Sequence, residues 1–94
     1  MKPIVFRARA ERDLLAIISY FSEYSPPPQA AQNILDDIYR SIDQLAFFPN
    51  LGQQVDGEDF RRIATLKYHF TIGYEVTSAS VNIVGIFRYQ DRAV

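Results

Sequence analysis

The clearest hydrophobic pattern in the chain lies between residues 67 and 90. In the first half of this stretch every second residue is apolar or aromatic: Tyr68, Phe70, Ile72, Tyr74 and Val76. A period of two puts these side chains on one face of a β-strand. The second half is apolar on both faces, as in a strand covered on two sides: Ile83, Val84, Ile86 and Phe87. Small polar residues at 77–80 separate the halves, so the stretch predicts a β-hairpin.

Two helical patterns precede this hairpin. The first begins in the charged run at 7–13 and repeats at helical spacing: Ala10, Leu14, Ile17, Ile18 and Phe21. The second begins at Gln29 with the same period: Ala31, Ile34, Leu35, Ile38, Ile42, Leu45 and Ala46. Each pattern predicts an amphipathic helix with one apolar face. The prolines at 26–28 cannot continue the first helix, so they mark the turn of a helical hairpin.

Two further short strands complete the prediction. Residues 3–6 alternate as a first strand does, and Pro3 suits a strand start. Turn residues at 51–59 predict a loop, and residues 60–66 predict another strand. The order β-α-α-β-β-β over residues 1–94 predicts one α+β domain, with the helical hairpin packed on one face of a twisted antiparallel sheet. The pattern does not fix the partner of the first strand.

Composition removes several classes of function. The chain has no cysteine, which excludes disulfides, thiolate chemistry and cysteine-bound zinc. It shows neither a metal-ligand spacing such as HExxH nor a glycine-rich phosphate loop, so we expect neither a metal nor a cofactor. The first residues carry no long apolar run, which favours a cytoplasmic protein without a signal peptide or membrane span. The net charge of -1 provides no overall attraction to nucleic acid.

Few side chains are candidates for acid–base chemistry. The adjacent carboxylates Asp36 and Asp37 are assigned to the solvated face of the second helix, since neighbouring helix positions diverge. His69, the only histidine, lies on the polar face of its predicted strand. We interpret it as a surface or cross-strand residue rather than a catalytic base.

The arginines are the stronger candidates for binding. Arg61 and Arg62 lie in the strand predicted at 60–66 and Lys67 follows it, and Arg88 and Arg92 would approach them if the last two strands pair. Such a cluster would bind phosphate or a carboxylate-rich partner. The alternative is a solvated sheet edge whose cations pair with nearby acids: Glu58, Asp59 and Glu75. Tyr89, beside Arg88, is the aromatic residue best placed to contact a partner.

Several of these elements together resemble a known family. They are residues 10–14 (Ala-Glu-Arg-Asp-Leu), residues 48–52 (Phe-Pro-Asn-Leu-Gly), the strand with Arg61 and Arg62, and the strands at 68–74 and 83–87. In this order and with these gaps, the chain resembles the RelE/ParE superfamily of type II toxin–antitoxin toxins. The resemblance is closer to the ParE, or plasmid stabilisation, branch.

The resemblance implies a function and partners. A ParE-like toxin inhibits DNA gyrase, whereas a RelE-like toxin cleaves mRNA on the ribosome, and a degenerate member would lack toxicity. A cognate antitoxin masks the toxin with its C-terminal segment. We expect that segment in the groove between the helical hairpin and the sheet or along a free sheet edge. The chain would then form a homodimer or a toxin–antitoxin hetero-oligomer.

The chain departs from the ParE pattern at two positions. Gln53 follows Gly52 where an arginine is usual, and Phe87 stands where a histidine is common. A metal-independent endoribonuclease needs groups for proton transfer and for phosphate charge, and the candidates are Arg62, His69, Arg88 and Tyr89. Because a tyrosine hydroxyl is a poor base near neutral pH, this inventory favours a binding toxin over an enzyme. Its target-binding candidates are Arg61, Arg62, Arg88 and Arg92.

Overall fold

The computed structural model describes residues 1–24, 29–55, 57 and 59–88. Its elements follow in the order β1 (Ile4–Phe6), α1 (Ala8–Tyr24), α2 (Gln29–Phe47), β2 (Gln53–Gln54), β3 (Arg61–Ala64), β4 (Thr71–Val76) and β5 (Val81–Phe87). The predicted α+β order is confirmed, with the two-residue strand β2 added where a loop was expected. The prolines at 26–28, which were predicted to form the helical turn, lie outside the described residues.

The strands form one sheet in the order β1-β5-β4-β3-β2. β1 runs parallel to β5, with Ile4 opposite Val81, whereas the pairs β2–β3, β3–β4 and β4–β5 are antiparallel. The expected antiparallel sheet is therefore a mixed sheet. A parallel pair needs a long crossover connection, and here the chain from α1 to β4 lies between the two strands. The side chains of β5 are buried or half-buried throughout, as predicted for a strand covered on both faces.

The core lies between the helices and the sheet. The apolar stripes predicted for both helices are confirmed, since their members meet the inward residues of β4 and β5. The buried core residues are Ala10, Leu14, Ile17, Ile34, Ile38, Ile42, Leu45, Phe70, Ile72, Tyr74, Val81, Ile83 and Ile86. The outer face of each helix is mostly polar, with exceptions such as Leu15 on α1 and Tyr39 on α2. No helix in the described part of the chain has an apolar stretch long enough to cross a membrane.

The strand expected from residue 67 begins four residues later, at Thr71. Thr65 closes a turn before it. Its amide donates to the carbonyl oxygen of Phe70 at 2.8 Å, and its Oγ1 accepts from the amide of Phe70 at 3.0 Å. Within this turn His69 has a φ of 59°, in the left-handed region, so the residue cannot belong to a strand. Tyr68 and His69 are thus turn residues, and the assignment of His69 to a strand face was wrong.

α1 takes over the edge of β5 where β1 ends. The last backbone bond of β1 with β5 runs from the amide of Arg7 to the carbonyl oxygen of Ile83, at 2.9 Å. Further along β5, the amide of Ile86 donates to Oδ2 of Asp13 in α1, at 3.0 Å. The side chain of Asp13 therefore replaces the acceptor that a longer β1 would have provided.

Candidate functional site

β3 places Arg61 and Arg62 on opposite faces of the sheet, because successive side chains of a strand alternate. The half-buried Arg61 donates from Nη1 to the carbonyl oxygen of Gly52 at 2.8 Å. Arg62 is exposed and lies opposite Gly73 of β4. Arg61 therefore holds a loop, whereas Arg62 is accessible to a partner.

Arg88 follows β5 directly and packs against α1. Its guanidinium carbon lies 4.4 Å from the ring centre of Tyr20 and 5.8 Å from that of Phe21. Contacts of this kind hold a cation over the electron-rich face of an aromatic ring. Arg92 and Tyr89, the other candidates from this part of the sequence, lie outside the described residues.

The strand register separates Arg88 from Arg62. Phe87 at the end of β5 pairs with Thr71, which pairs in turn with Ala64 of β3. From the rise of a strand, Arg88 lies about 10 Å further along the sheet than Arg62, and two strands away from it. Because Arg88 also points to α1, the expected arginine cluster does not form. The structure instead separates the cations into two positions, one on the outer face of the sheet and one at the end of the sheet where β3 turns into β4.

The first position belongs to the outer face of the sheet, the face turned away from the core. The ring of Phe87 lies over the cross-strand pair of Gly73 and Gly85, and a Cβ atom at Gly85 would come 2.6 Å from it. The guanidinium carbon of Arg9 is 4.8 Å from the centre of the same ring. Arg9 also lies 3.7 Å from Asp13, which offsets part of its charge. We call Arg9, Arg62 and Phe87 the outer-face cluster.

Glu75 on the same face is one of the acids that the alternative, a solvated sheet edge, would pair with the cations of β3. It is instead ion-paired with Arg7, which precedes α1, and its Oε1 also accepts from Nδ2 of Asn82 at 3.1 Å. Asn82 lies opposite both Glu75 of β4 and Val5 of β1 in the register of the sheet. Glu75 therefore binds toward β1 and not toward β3.

The second position is the turn between β3 and β4, residues 66–69, which we call the 66–69 turn. It lies at the same end of the sheet as Arg88, because Thr71 and Phe87 are paired. The carboxylate of Asp37 in α2 holds its backbone: Oδ2 accepts from the amide of Tyr68 at 2.8 Å, and Oδ1 from the amide of Lys67 at 3.1 Å.

Asp37 was assigned to a solvated helix face, and that assignment was wrong, since only 7% of the residue is exposed. Its neighbour Asp36 is exposed, as expected, and accepts from Nε2 of Gln32 at 2.8 Å. The sequence does indicate that Asp37 is buried. The residue lies three positions after Ile34 and four before the buried Ser41, so it falls on the apolar stripe of α2.

The described residues do not assemble an acid–base site. The imidazole of His69 is exposed in the 66–69 turn, whereas Arg62 belongs to the outer-face cluster. Residues 1–24, 29–55, 57 and 59–88 contain no group of three or more acidic or histidine side chains placed to hold a metal ion.

Comparison with known families covers nearly the whole chain. The family model for the ParE toxin of the type II toxin–antitoxin system parDE matches residues 4–92. The chain belongs to the ParE toxin family. A solved chain described as "Chromosomal ParDE TA system from P. aeruginosa" has a similar fold, with a TM-score of 0.80 at 20% sequence identity. The match covers 94% of this chain and 96% of that one. No curated protein sequence matches significantly.

In this ParE-family chain the segment 48–52 has a structural role. The hydroxyl of Tyr74 donates to the carbonyl oxygen of Pro49 at 2.8 Å and accepts from the amide of Gly52 at 2.7 Å. Burial raises the pKa of Tyr74, although the bond from Gly52 and the charge of Arg61 oppose this. A Cβ atom on Gly52 would lie 2.7 Å from the Tyr74 hydroxyl, so no larger residue fits this position without movement.

The same segment presents apolar side chains to solvent. Phe47 is 64% exposed, Phe48 65% and Leu51 52%. A bond from the amide of Leu51 to the carbonyl oxygen of Phe48, at 3.1 Å, holds the last two in one turn. Exposed apolar groups of this size on a rigid segment are typical of protein interaction surfaces.

Proposed function

We propose that this ParE-family chain is a toxin that binds and inhibits DNA gyrase, and that a cognate antitoxin neutralises it. The observation that carries the proposal is the dispersal of the candidate catalytic groups. Arg62, His69 and Arg88 lie on the outer face, in the 66–69 turn and against α1, respectively. Proton transfer requires groups within hydrogen-bond reach of one reacting atom, which this arrangement does not provide. Inhibition by binding needs no such convergence.

Arg62, Arg88 and Arg92 remain the proposed target-binding arginines. Arg61 supports binding indirectly, because its bond to Gly52 fixes the segment 48–52. Gyrase as the target implies that the chain acts in the cytoplasm. It also implies a contact surface for a large protein, which the separate cationic positions and the exposed apolar side chains supply.

The antitoxin is proposed to add a strand to the free edge of the sheet. β2 pairs only with Arg61 and Arg62, so within the described residues Ile63 and Ala64 of β3 have no strand on that side. A shallow cleft of about 160 Å³ lies beside them, bordered by Gln53 and Thr71. Backbone hydrogen bonds of an added strand would give affinity, and the cleft would receive an anchoring side chain. The product is a toxin–antitoxin hetero-oligomer.

Expression of the chain alone tests the proposal. We expect growth arrest with signs of DNA damage, and restored growth when the product of the neighbouring small reading frame is co-expressed and copurifies with the chain. Unaffected growth would remove the toxin function. Failure of the two products to associate would remove the antitoxin proposal.

The outer-face cluster favours a second candidate function, ribosome-dependent mRNA cleavage. A cation over an aromatic ring, with Arg62 on the same face, is an arrangement that can bind single-stranded RNA. This candidate predicts rapid loss of translation and cleaved transcripts on ribosomes, with gyrase unaffected. Substitution of Arg62 or His69 should then abolish cleavage in a folded protein.

A further inference from the structure

The 66–69 turn is held both by a residue far away in the sequence and by the residues that flank it. Asp37 binds the amides of Lys67 and Tyr68, and Thr65 binds the amide of Phe70 through its side chain. The carboxylate that makes these bonds is almost fully buried in α2. Burial of a charged group is costly unless it is hydrogen-bonded. A buried position of α2 is therefore occupied by a carboxylate whose hydrogen bonds stabilise the conformation of this turn.

The side chains of the turn contribute little to the core. Leu66 is 73% exposed and Tyr68 37%, and both Lys67 and His69 are exposed. His69 adopts a left-handed backbone, which is unfavourable for a residue with a Cβ atom. A turn that served only to connect two strands would need neither the exposed leucine nor the buried carboxylate. Restraint of this kind is typical of a segment preorganised for binding.

A cleft of about 280 Å³ separates the turn from α2. Leu66 and Lys67 form one wall, and α2 supplies the other: Asn33, Asp36, Asp37 and Arg40. The turn therefore projects beside a cavity large enough for a side chain of another molecule. The protruding Leu66 and this cleft would both be covered by a partner that docks on this end of the sheet.

The charges around the turn select the kind of partner. Lys67 and Arg40 are positive, and Asp36 and Asp37 are negative, so the charges that line the cleft balance. The cation Arg88 at the same end of the sheet packs against α1. A nucleic acid backbone requires a surplus of cations at its binding surface. An apolar and an aromatic side chain beside one lysine instead fit a protein surface that offers an apolar pocket with a carboxylate at its rim.

We propose that the 66–69 turn is the preformed element through which the toxin contacts its target protein. Leu66, Lys67 and Tyr68 make the contact, and Asp37 is a positioning residue that keeps the turn in its binding conformation. This inference rests on the proposed toxin function and adds to it a contact surface distinct from the arginines. Because the turn is already ordered, little conformational entropy is lost when the target binds.

The contact role of the turn is tested with Leu66→Ala, and Leu15→Ala is the matched control. Leu15, on α1, is also largely exposed, at 64%. Growth arrest, the melting temperature and copurification with the antitoxin are measured for both variants. We expect Leu66→Ala to weaken growth arrest by about tenfold or more, because the variant removes an apolar side chain that anchors the interface with the target. Its melting temperature and antitoxin binding should stay unchanged, and Leu15→Ala should match the wild type.

The positioning role is tested with Asp37→Asn against Asp43→Asn, since Asp43 is an exposed acid of the same helix outside the cleft. An asparagine replaces one acceptor oxygen by an NH₂ donor and removes the negative charge, so it holds the two amides less strongly than the carboxylate does. Amide hydrogen exchange at Lys67 and Tyr68 should become faster in Asp37→Asn, and growth arrest should weaken by about tenfold. Asp43→Asn should change neither measurement. Unchanged arrest in Asp37→Asn, with faster exchange, would show that the order of the turn does not matter for the target.

Three results would overturn the inference. Full growth arrest by Leu66→Ala would exclude the turn as a target contact. Loss of antitoxin binding in that variant, with arrest retained, would assign the turn to the antitoxin instead. Target binding that weakens about a thousandfold between 50 and 200 mM salt would indicate a nucleic acid partner. If the wild-type chain itself leaves growth unaffected, the proposed function is wrong, and this inference falls with it. The wild-type culture therefore separates failure of the proposed function from failure of the inference about the turn.

Discussion

Tyr74 is the residue on which the segment 48–52 depends. Its buried hydroxyl bonds to both Pro49 and Gly52, and its pKa is raised above the ordinary value near 10 mainly because burial disfavours the phenolate. Below pH 10 the hydroxyl is protonated in both the folded and the unfolded chain. Above pH 10 only the unfolded chain loses the proton readily, so the contribution of Tyr74 to stability falls as pH rises toward its folded-state pKa.

Tyr74→Phe tests this account. The variant leaves the Gly52 amide and the Pro49 carbonyl without their partner, and we expect the free energy of unfolding to fall by about 1–3 kcal/mol at pH 7. Urea denaturation from pH 7 to 11 should show a smaller loss of stability above pH 10 in the variant than in the wild type. Identical pH profiles would mean that Tyr74 ionises equally in both states.

Gly52 is required for its lack of a side chain. A Cβ atom there would lie 2.8 Å from the carbonyl oxygen of Arg62, which is backbone and cannot rotate away. We expect Gly52→Ala to destabilise the fold by about 2–3 kcal/mol, measured as a lower urea midpoint. Gly73→Ala is the control, because its Cβ would meet only ordinary contacts of 3.8 Å or more. An equal loss in both variants would contradict the steric explanation.

At the scale of the elements, the contact between α1 and β5 joins the helices to the sheet. Asp13 binds the amide of Ile86 on the edge that β1 leaves uncovered. We expect Asp13→Ala to lower the free energy of unfolding by about 1–3 kcal/mol, because this amide loses its acceptor. Hydrogen exchange at the amide of Ile86 should become faster through local opening. Exchange at the amide of Ile72 in β4 should change only as much as the lower free energy of global unfolding requires. Unchanged protection at Ile86 would show that water replaces the carboxylate without cost.

The sequence predicted the elements with a strong period and missed those fixed from a distance. The stripes of α1 and α2 span several turns, so their pattern is robust. Tyr68 continues the alternation of β4 only by coincidence, since the turn that contains it is held by Asp37 of α2. β2 has two exposed residues and no apolar pattern to reveal it. The parallel pairing of β1 depends on the whole connection and not on local residues.

At the scale of the whole molecule, the sequence offered the arginines as candidates but could not give their relation in space. The predicted cluster of Arg62 and Arg88 needed a strand register, and register depends on bulges and turns. The register of β4 against β5 shifts between Gly73 and Tyr74, and no pattern in the sequence predicts this shift. The family could be inferred because its segments keep their order and spacing even when each is weak.

The distribution of exposed groups suits a chain that meets two partners. The free edge of β3 and the cleft beside it lie on the β2 side of the sheet, whereas the 66–69 turn and Arg88 lie at one end of the strands. An antitoxin on the edge need not occupy the turn. It would neutralise the toxin by standing in the way of a large target that approaches the adjoining end of the sheet. The proposal therefore predicts that antitoxin and target compete, and that variants of the turn affect the target alone.

The most direct test of the proposed function is DNA supercoiling by purified gyrase in the presence of the purified chain. We predict that the chain inhibits supercoiling in a concentration-dependent way, and that prior mixing with the antitoxin relieves the inhibition. A translation assay run alongside should be unaffected. If supercoiling proceeds normally at concentrations where the translation assay stops, the chain is not a gyrase inhibitor and the proposed function is wrong.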